Sequence, residues 1–153
     1  MHLTKVTLKN YGVYRDKVEF NLTTTPDKPV ILIGGTNGAG KTTLFESILI
    51  GFYGQSYFDK KTTRKEYEKF LGNKVHRYLG TTAAADSTSI VVDFKFYHNG
   101  EVDDYTVDRT WYDDDGRFTE QLKIKKNNKR LDSVEESQWQ SFIEELIPKG
   151  IAK

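Results

Sequence analysis

An α/β fold, with a mixed sheet and an antiparallel β-subdomain, is predicted by three features of this 153-residue sequence. The first is the unbroken aliphatic run Val30-Ile31-Leu32-Ile33, which reads as a strand buried on both faces in the manner of parallel sheets. The second follows at once: a glycine-rich turn, then a segment that places Leu44, Phe45, Ile48, Leu49 and Phe52 on one face of a helix. The third is the stretch from Ser89 to Asp132, where apolar residues alternate with polar ones between turn residues, as in antiparallel strands. The chain has the length of one core and no convincing linker, so residues 1–153 are expected to form a single domain.

Taken in chain order, Leu3, Val6 and Leu8 alternate with polar neighbours, "NYGVYRD" turns, and Val18, Phe20 and Leu22 share a side, which predicts a hairpin. "TTTPDKP" is a loop before the aliphatic strand, and the helix after the glycines is expected to close near Gly54. Tyr67, Phe70, Leu71, Val75, Tyr78 and Leu79 recur at helical spacing across Gly72 and Asn73, giving one kinked helix or two short ones. Residues 81–89, small and polar, predict a mobile loop. Three strands follow, turned by "HNG" and "DDDG", with Ile90, Val92, Phe94 and Phe96 on one face of the first. Ser133-Val134-Glu135-Glu136 has the form of a capping box and predicts a helix start, with Trp139, Phe142, Ile143 and Leu146 facing inward and Pro148 and Gly150 ending it.

Composition narrows the functional classes. There is no cysteine, which excludes disulfides and suits an intracellular setting. No apolar run approaches the ~20 residues that span a bilayer, and the N-terminus lacks a basic region followed by an apolar signal core. A soluble, cytoplasmic protein without a membrane partner is expected. The 23 Lys and Arg balance 22 Asp and Glu, so any attraction to nucleic acid must come from a local patch. One such patch is Lys123, Lys125, Lys126, Lys129 and Arg130 around "NN", a candidate for DNA phosphates and equally an ordinary solvated hairpin. His2, His76 and His98 are too far apart to suggest a metal site.

The glycine turn carries the chemistry. Gly35, four residues, then Gly40-Lys41-Thr42 fits G-x-x-x-x-G-K-[ST] between a strand and a helix, the context that gives this phosphate-binding loop its meaning. Backbone N–H groups at a helix N-terminus concentrate positive potential on an anion. Gly35, Asn37, Gly38, Ala39, Gly40, Lys41, Thr42 and Thr43 are therefore the candidate nucleotide-binding residues. Lys41 supplies a charge for the outer phosphates, and the Thr42 hydroxyl a ligand for magnesium. ATP and Mg2+ are the expected cofactors.

The combination of "GTNGAGKTT" with the preceding "LTKVTLKNYGVYRDKVEF" resembles the N-terminal lobe of the ABC-type ATPase heads of SMC-like coiled-coil proteins. The "NYGVYR" turn, "FYG" and "IPKGIAK" look most similar to the DndD ATPases associated with DNA phosphorothioate modification. The resemblance implies a P-loop NTPase fold, a C-terminal lobe as partner beyond a coiled coil, head-to-head dimerisation on ATP, and DNA as the object of the intact complex. Related ATPases often carry arginine and serine in the first hairpin turn, where this chain has Gly12 and Val13, leaving Arg15 as a substitute. A signature helix and an apolar strand ending in Asp-Glu are missing, so no catalytic residue is assigned within this chain. Ile90-Val91-Val92-Asp93 imitates that strand, but Phe94 stands where the glutamate belongs. ATP binding with little turnover is the expected behaviour of the chain alone, within an ATPase when intact. Alternatives are a nucleotide-sensing module without hydrolysis and a stand-alone P-loop kinase with Arg64 or Arg77 in a lid. A GTPase reading would recruit "DDDG" at Asp113 to Gly116, but no N-K-x-D base reader accompanies it.

Overall fold

The computed structural model describes residues 1–35, 40–75 and 86–149. Six strands form one sheet: β1 (His2–Tyr11), β2 (Tyr14–Asn21), β3 (Ser87–His98), β4 (Glu101–Asp114), β5 (Arg117–Lys126) and β6 (Lys129–Arg130). Their order is β2-β1-β3-β4-β5-β6, and every neighbouring pair is antiparallel. Helices α1 (Lys41–Tyr53), α2 (Arg64–Lys74) and α3 (Trp139–Leu146) accompany it. None is long and apolar enough to cross a membrane.

The sheet owes its register to turn chemistry. Asn99-Gly100, Asp115-Gly116 and Asn127-Asn128 all take positive φ, as the two-residue turns that match strand twist require. The predicted "HNG", "DDDG" and "NN" turns are thus all present, and "DDDG" is a hairpin turn in which Gly116 N–H donates to the Asp113 carboxylate at 2.9 Å. In β1, Asn10 at φ 51° accompanies a register shift between Lys9 and Tyr11. Without that bulge Tyr11 would share the face of exposed Lys9; with it, Tyr11 is buried. A second shift between Leu3 and Lys5 explains how Leu3 joins the apolar side despite its odd spacing from Val6. One face of the sheet, including Val6, Leu8, Ile90, Val92, Phe94, Val107 and Trp111, forms the core, and the other is polar.

Several expectations need correction. The sheet is antiparallel throughout the described residues, not mixed, because Val30–Ile33 forms no strand: Val30 is 80% exposed and Leu32 is 93% exposed. A strand forms only where a neighbouring strand accepts its backbone hydrogen bonds, and among the described residues no strand pairs with Val30–Ile33.

The helix after the glycines ends at Tyr53 with Gly54 at φ 54°, close to the expected end, and of its apolar stripe Leu44 and Phe52 are buried with Ile48 and Leu49 packed beside them. Leu44, Ser47 and Gly51 lie buried along one line, and a Cβ on Gly51 would stand 2.8 Å from the Ile90 side chain. Phe45 is 55% exposed, because the glycine lets the helix seat closely on β3 and turns part of the stripe outward.

Helix α2 runs through Gly72 and Asn73 to Lys74; Tyr78 and Leu79 lie outside the described residues. It starts at a capping box that the sequence reading missed, Thr63 with Glu66. The box expected at Ser133 does not form. Glu135 is extended, Glu136 pairs with Arg130, and the Trp139 indole donates to the Val134 carbonyl at 3.0 Å, so the α-helix begins only at Trp139. Its inward face and its end before Pro148 match expectation; Gly150 lies outside the described residues. Of the predicted loop 81–89, Ser87–Ser89 belong to β3.

Candidate nucleotide-binding site

The candidate site is the N-terminus of α1. Gly40 is its N-cap at φ 100°, a left-handed conformation suited to glycine. Among the described residues no side chain caps this 13-residue helix, and its first turn has no acidic residue. The N-terminal N–H groups of a helix have no partner within the helix, and with a glycine at the N-cap and no first-turn carboxylate this end has the polarity an anion needs. Lys41 and Thr43 are half-buried, and Thr42 is exposed. Gly35 is also exposed, whereas Asn37, Gly38 and Ala39 lie outside the described residues. A cation beside a glycine N-cap and an accessible threonine hydroxyl suit a triphosphate with magnesium.

The turn between β1 and β2 seats against this helix end. A Cβ on Gly12 would come within 2.8 Å of the Thr43 methyl, and the Tyr14 hydroxyl donates to the Gly40 carbonyl at 2.9 Å. Arg15, the substitute considered for a phosphate contact, is exposed and lies 3.7 Å from the Asp16 carboxylate. On the flank of α1, Lys74 approaches Glu46 at 2.9 Å and links α2 to the same region.

The other end of α1 is held by a buried polar network that the sequence reading did not find. Arg109 is 2% exposed; its Nε donates to the Gly51 carbonyl at 3.1 Å and Nη2 to the Phe52 carbonyl at 3.2 Å. These are terminal carbonyls of α1, where a cation is favoured by the helix dipole. Arg109 Nη1 also donates to Glu120 at 2.9 Å and Nη2 to Gln140 at 2.5 Å. Glu120 in turn accepts from Tyr67 at 2.7 Å and from the Trp111 indole at 2.6 Å. Burial pushes the Glu120 carboxyl up, but the Arg109 charge and these hydrogen bonds outweigh it and hold it below the usual value. Burial, reinforced by the Glu120 charge, drives the Tyr67 phenol well upward, so it remains a proton donor. The available signal was opposite charges at inward positions of neighbouring strands: Arg109 between Val107 and Trp111, and Glu120 between Phe118 and Leu122.

Other candidates fall elsewhere. Asp93 projects from the polar face of β3, where Thr106 donates to it at 2.5 Å, so Ile90–Asp93 is an ordinary strand segment. Arg64 donates to the Phe118 carbonyl at 2.8 Å and lies over the Tyr67 ring, which ties it to β5 rather than to a lid; Arg77 lies outside the described residues. At the basic hairpin, Lys126 pairs with Asp103 at 3.7 Å, and Arg130 pairs with Asp132 and Glu136 while covering the Trp139 ring. Lys123, Lys125 and Lys129 are exposed.

No individual curated protein matches the chain. A family described as an AAA domain matches residues 5–151, nearly its whole length. With the loop motif at the N-terminus of α1, this match establishes that the chain belongs to the AAA-domain family of P-loop ATPases.

Proposed function

We propose that the chain binds ATP with magnesium at the N-terminus of α1, as the N-terminal lobe of an SMC-like ATPase head most similar to DndD. The observation that carries this reading is a 13-residue helix opening on a left-handed glycine, with no side-chain cap among the described residues and with Lys41 and Thr42 in its first turn. Backbone N–H groups from Gly40 onward hold the inner phosphates, Lys41 balances charge on the outer ones, and Thr42 offers its hydroxyl to the metal. Gly35, Asn37, Gly38, Ala39 and Thr43 complete the binding set. Magnesium, when bound, neutralises charge on the phosphate oxygens.

The proposed partner is a C-terminal lobe. Val30–Leu32 is strand-like in sequence yet exposed, and Ile33, Phe45, Ile48 and Leu49 line an adjoining apolar groove of about 680 Å³. A lobe that adds strands beside Val30–Ile33 would convert both into core and bring the missing water-orienting carboxylate. In this reading two heads meet on ATP, and the intact cytoplasmic protein couples hydrolysis to DNA modification, restriction or repair.

Calorimetry with Mg-ATP tests the site: Lys41→Ala should weaken binding by about 10- to 100-fold, the range of one lost charge-assisted hydrogen bond. Unchanged affinity would put the phosphates elsewhere. Single-turnover hydrolysis by this chain should be slow, since a phosphate cradle alone neither orients water nor stabilises the leaving charge. Rapid turnover abolished by Lys41→Ala would favour a stand-alone enzyme. No gain on adding the second lobe would favour a sensing module. The DNA contact falls to Lys123, Lys125 and Lys129; neutralising all three should flatten the salt dependence of DNA binding by the assembled protein. An unaltered salt slope would remove these lysines from the interface.

A further inference from the structure

The contact between the first hairpin turn and the phosphate loop does more than fill space. The Gly40 carbonyl accepts two hydrogen bonds, one from Leu44 N–H at 2.9 Å within α1 and one from the Tyr14 hydroxyl at 2.9 Å. That carbonyl belongs to the same peptide group as the N–H of Lys41. A trans peptide is planar, so holding the C=O on the hairpin side directs the Lys41 N–H to the opposite side.

Tyr14 is itself well supported. Its ring meets Phe20 edge-on at 5.4 Å, and the turn is anchored from behind by Gly12 N–H donating to the Lys74 carbonyl at 2.5 Å and by the pairing of Tyr11 with Val75. There is no slack at the contact: a Cβ on Gly40 would stand 2.3 Å from the Tyr14 oxygen and 3.0 Å from a Val13 methyl.

We propose that Tyr14 is a positioning residue of the nucleotide site, which sets affinity by fixing the Gly40–Lys41 peptide plane with its donor aimed at the inner phosphates. The inference rests on the reading of α1 as the ATP site. It assigns the β1–β2 turn a part in binding without any phosphate contact from Gly12 or Val13. Because the inner phosphates are common to both nucleotides, ATP and ADP depend on Tyr14 alike.

The test is Tyr14→Phe, which removes one hydroxyl and keeps the ring on Phe20. Calorimetry with Mg-ATP and Mg-ADP, well below the melting temperature, should show affinity for both falling about three- to tenfold, the range of one orienting hydrogen bond. The amide proton resonance of Lys41 should also move in the nucleotide-free protein. A lowered melting temperature with unchanged affinity would make Tyr14 a structural strut only and overturn the proposal, as would unchanged affinity at unchanged stability. Lys41→Ala in the same assay separates the two layers. If it weakens binding while Tyr14→Phe does not, the site stands and Tyr14's role falls; if neither does, both fall.

Discussion

The two ends of α1 meet opposite fates. At its C-terminal end, every carbonyl from Gly51 to Tyr53 has a side-chain donor, from Arg109 or Gln140, and the donors are locked in turn by Glu120, Tyr67 and Trp111. At its N-terminal end the helix has no side-chain cap among the described residues, and Val30 and Leu32, which precede it, stand in solvent while Ile33 is half-buried. The closed end is satisfied by the chain's own residues, whereas the other end begins on a glycine without a side-chain cap among the described residues and has exposed apolar surface at Val30 and Leu32, in keeping with the proposed anion and further protein layer. A helix so arranged is a fixed arm: anchoring at one end holds the other steady for a ligand.

The strongest way to break this comparison is at the closed end. Arg109→Ala leaves the Glu120 carboxylate buried without its cation and the α1 carbonyls without their donor, and should cost about 3–5 kcal/mol in denaturant unfolding. A loss under about 1 kcal/mol would mean that water or rearrangement replaces the network, and the closed end would not differ from the open one. Leu32→Ser sharpens the other side. With its side chain almost wholly in solvent it should change stability by no more than about 0.5 kcal/mol, and any real loss would show that Val30–Ile33 already packs as core in the isolated chain.

Much of this was legible in the residues because it depends on local chemistry. Asn99-Gly100 and Asp115-Gly116 specify turns through backbone angles that few other residues adopt, and the alternation from Ile90 to Phe96 names the buried face of β3 without knowledge of its neighbours. The phosphate-loop motif is equally local: glycines, a lysine and a threonine at set spacing before a helix. What the residues left open was whatever required a partner distant in sequence. Val30–Ile33 reads as a buried strand by composition, but a strand exists only when another chain segment accepts its hydrogen bonds. The Leu44–Phe52 stripe gave the right helix and most of its buried face, with Phe45 alone exposed, but not the close seating of Gly51 on Ile90, which is a property of two surfaces.

The sequence by itself determined the hairpins, the helix that carries Lys41 and Thr42, and membership of a P-loop ATPase family, since each is encoded in short spacings and intrinsic backbone preferences. Only the tertiary structure decided that Arg109 and Glu120 find each other beneath α1, that Ser133 loses its capping role to the Arg130 and Trp139 contacts, and that Tyr14 reaches Gly40. The physical reason is that a hydrogen bond or an ion pair between distant residues has no periodicity to betray it; it forms where the fold has already excluded water and brought the two groups together.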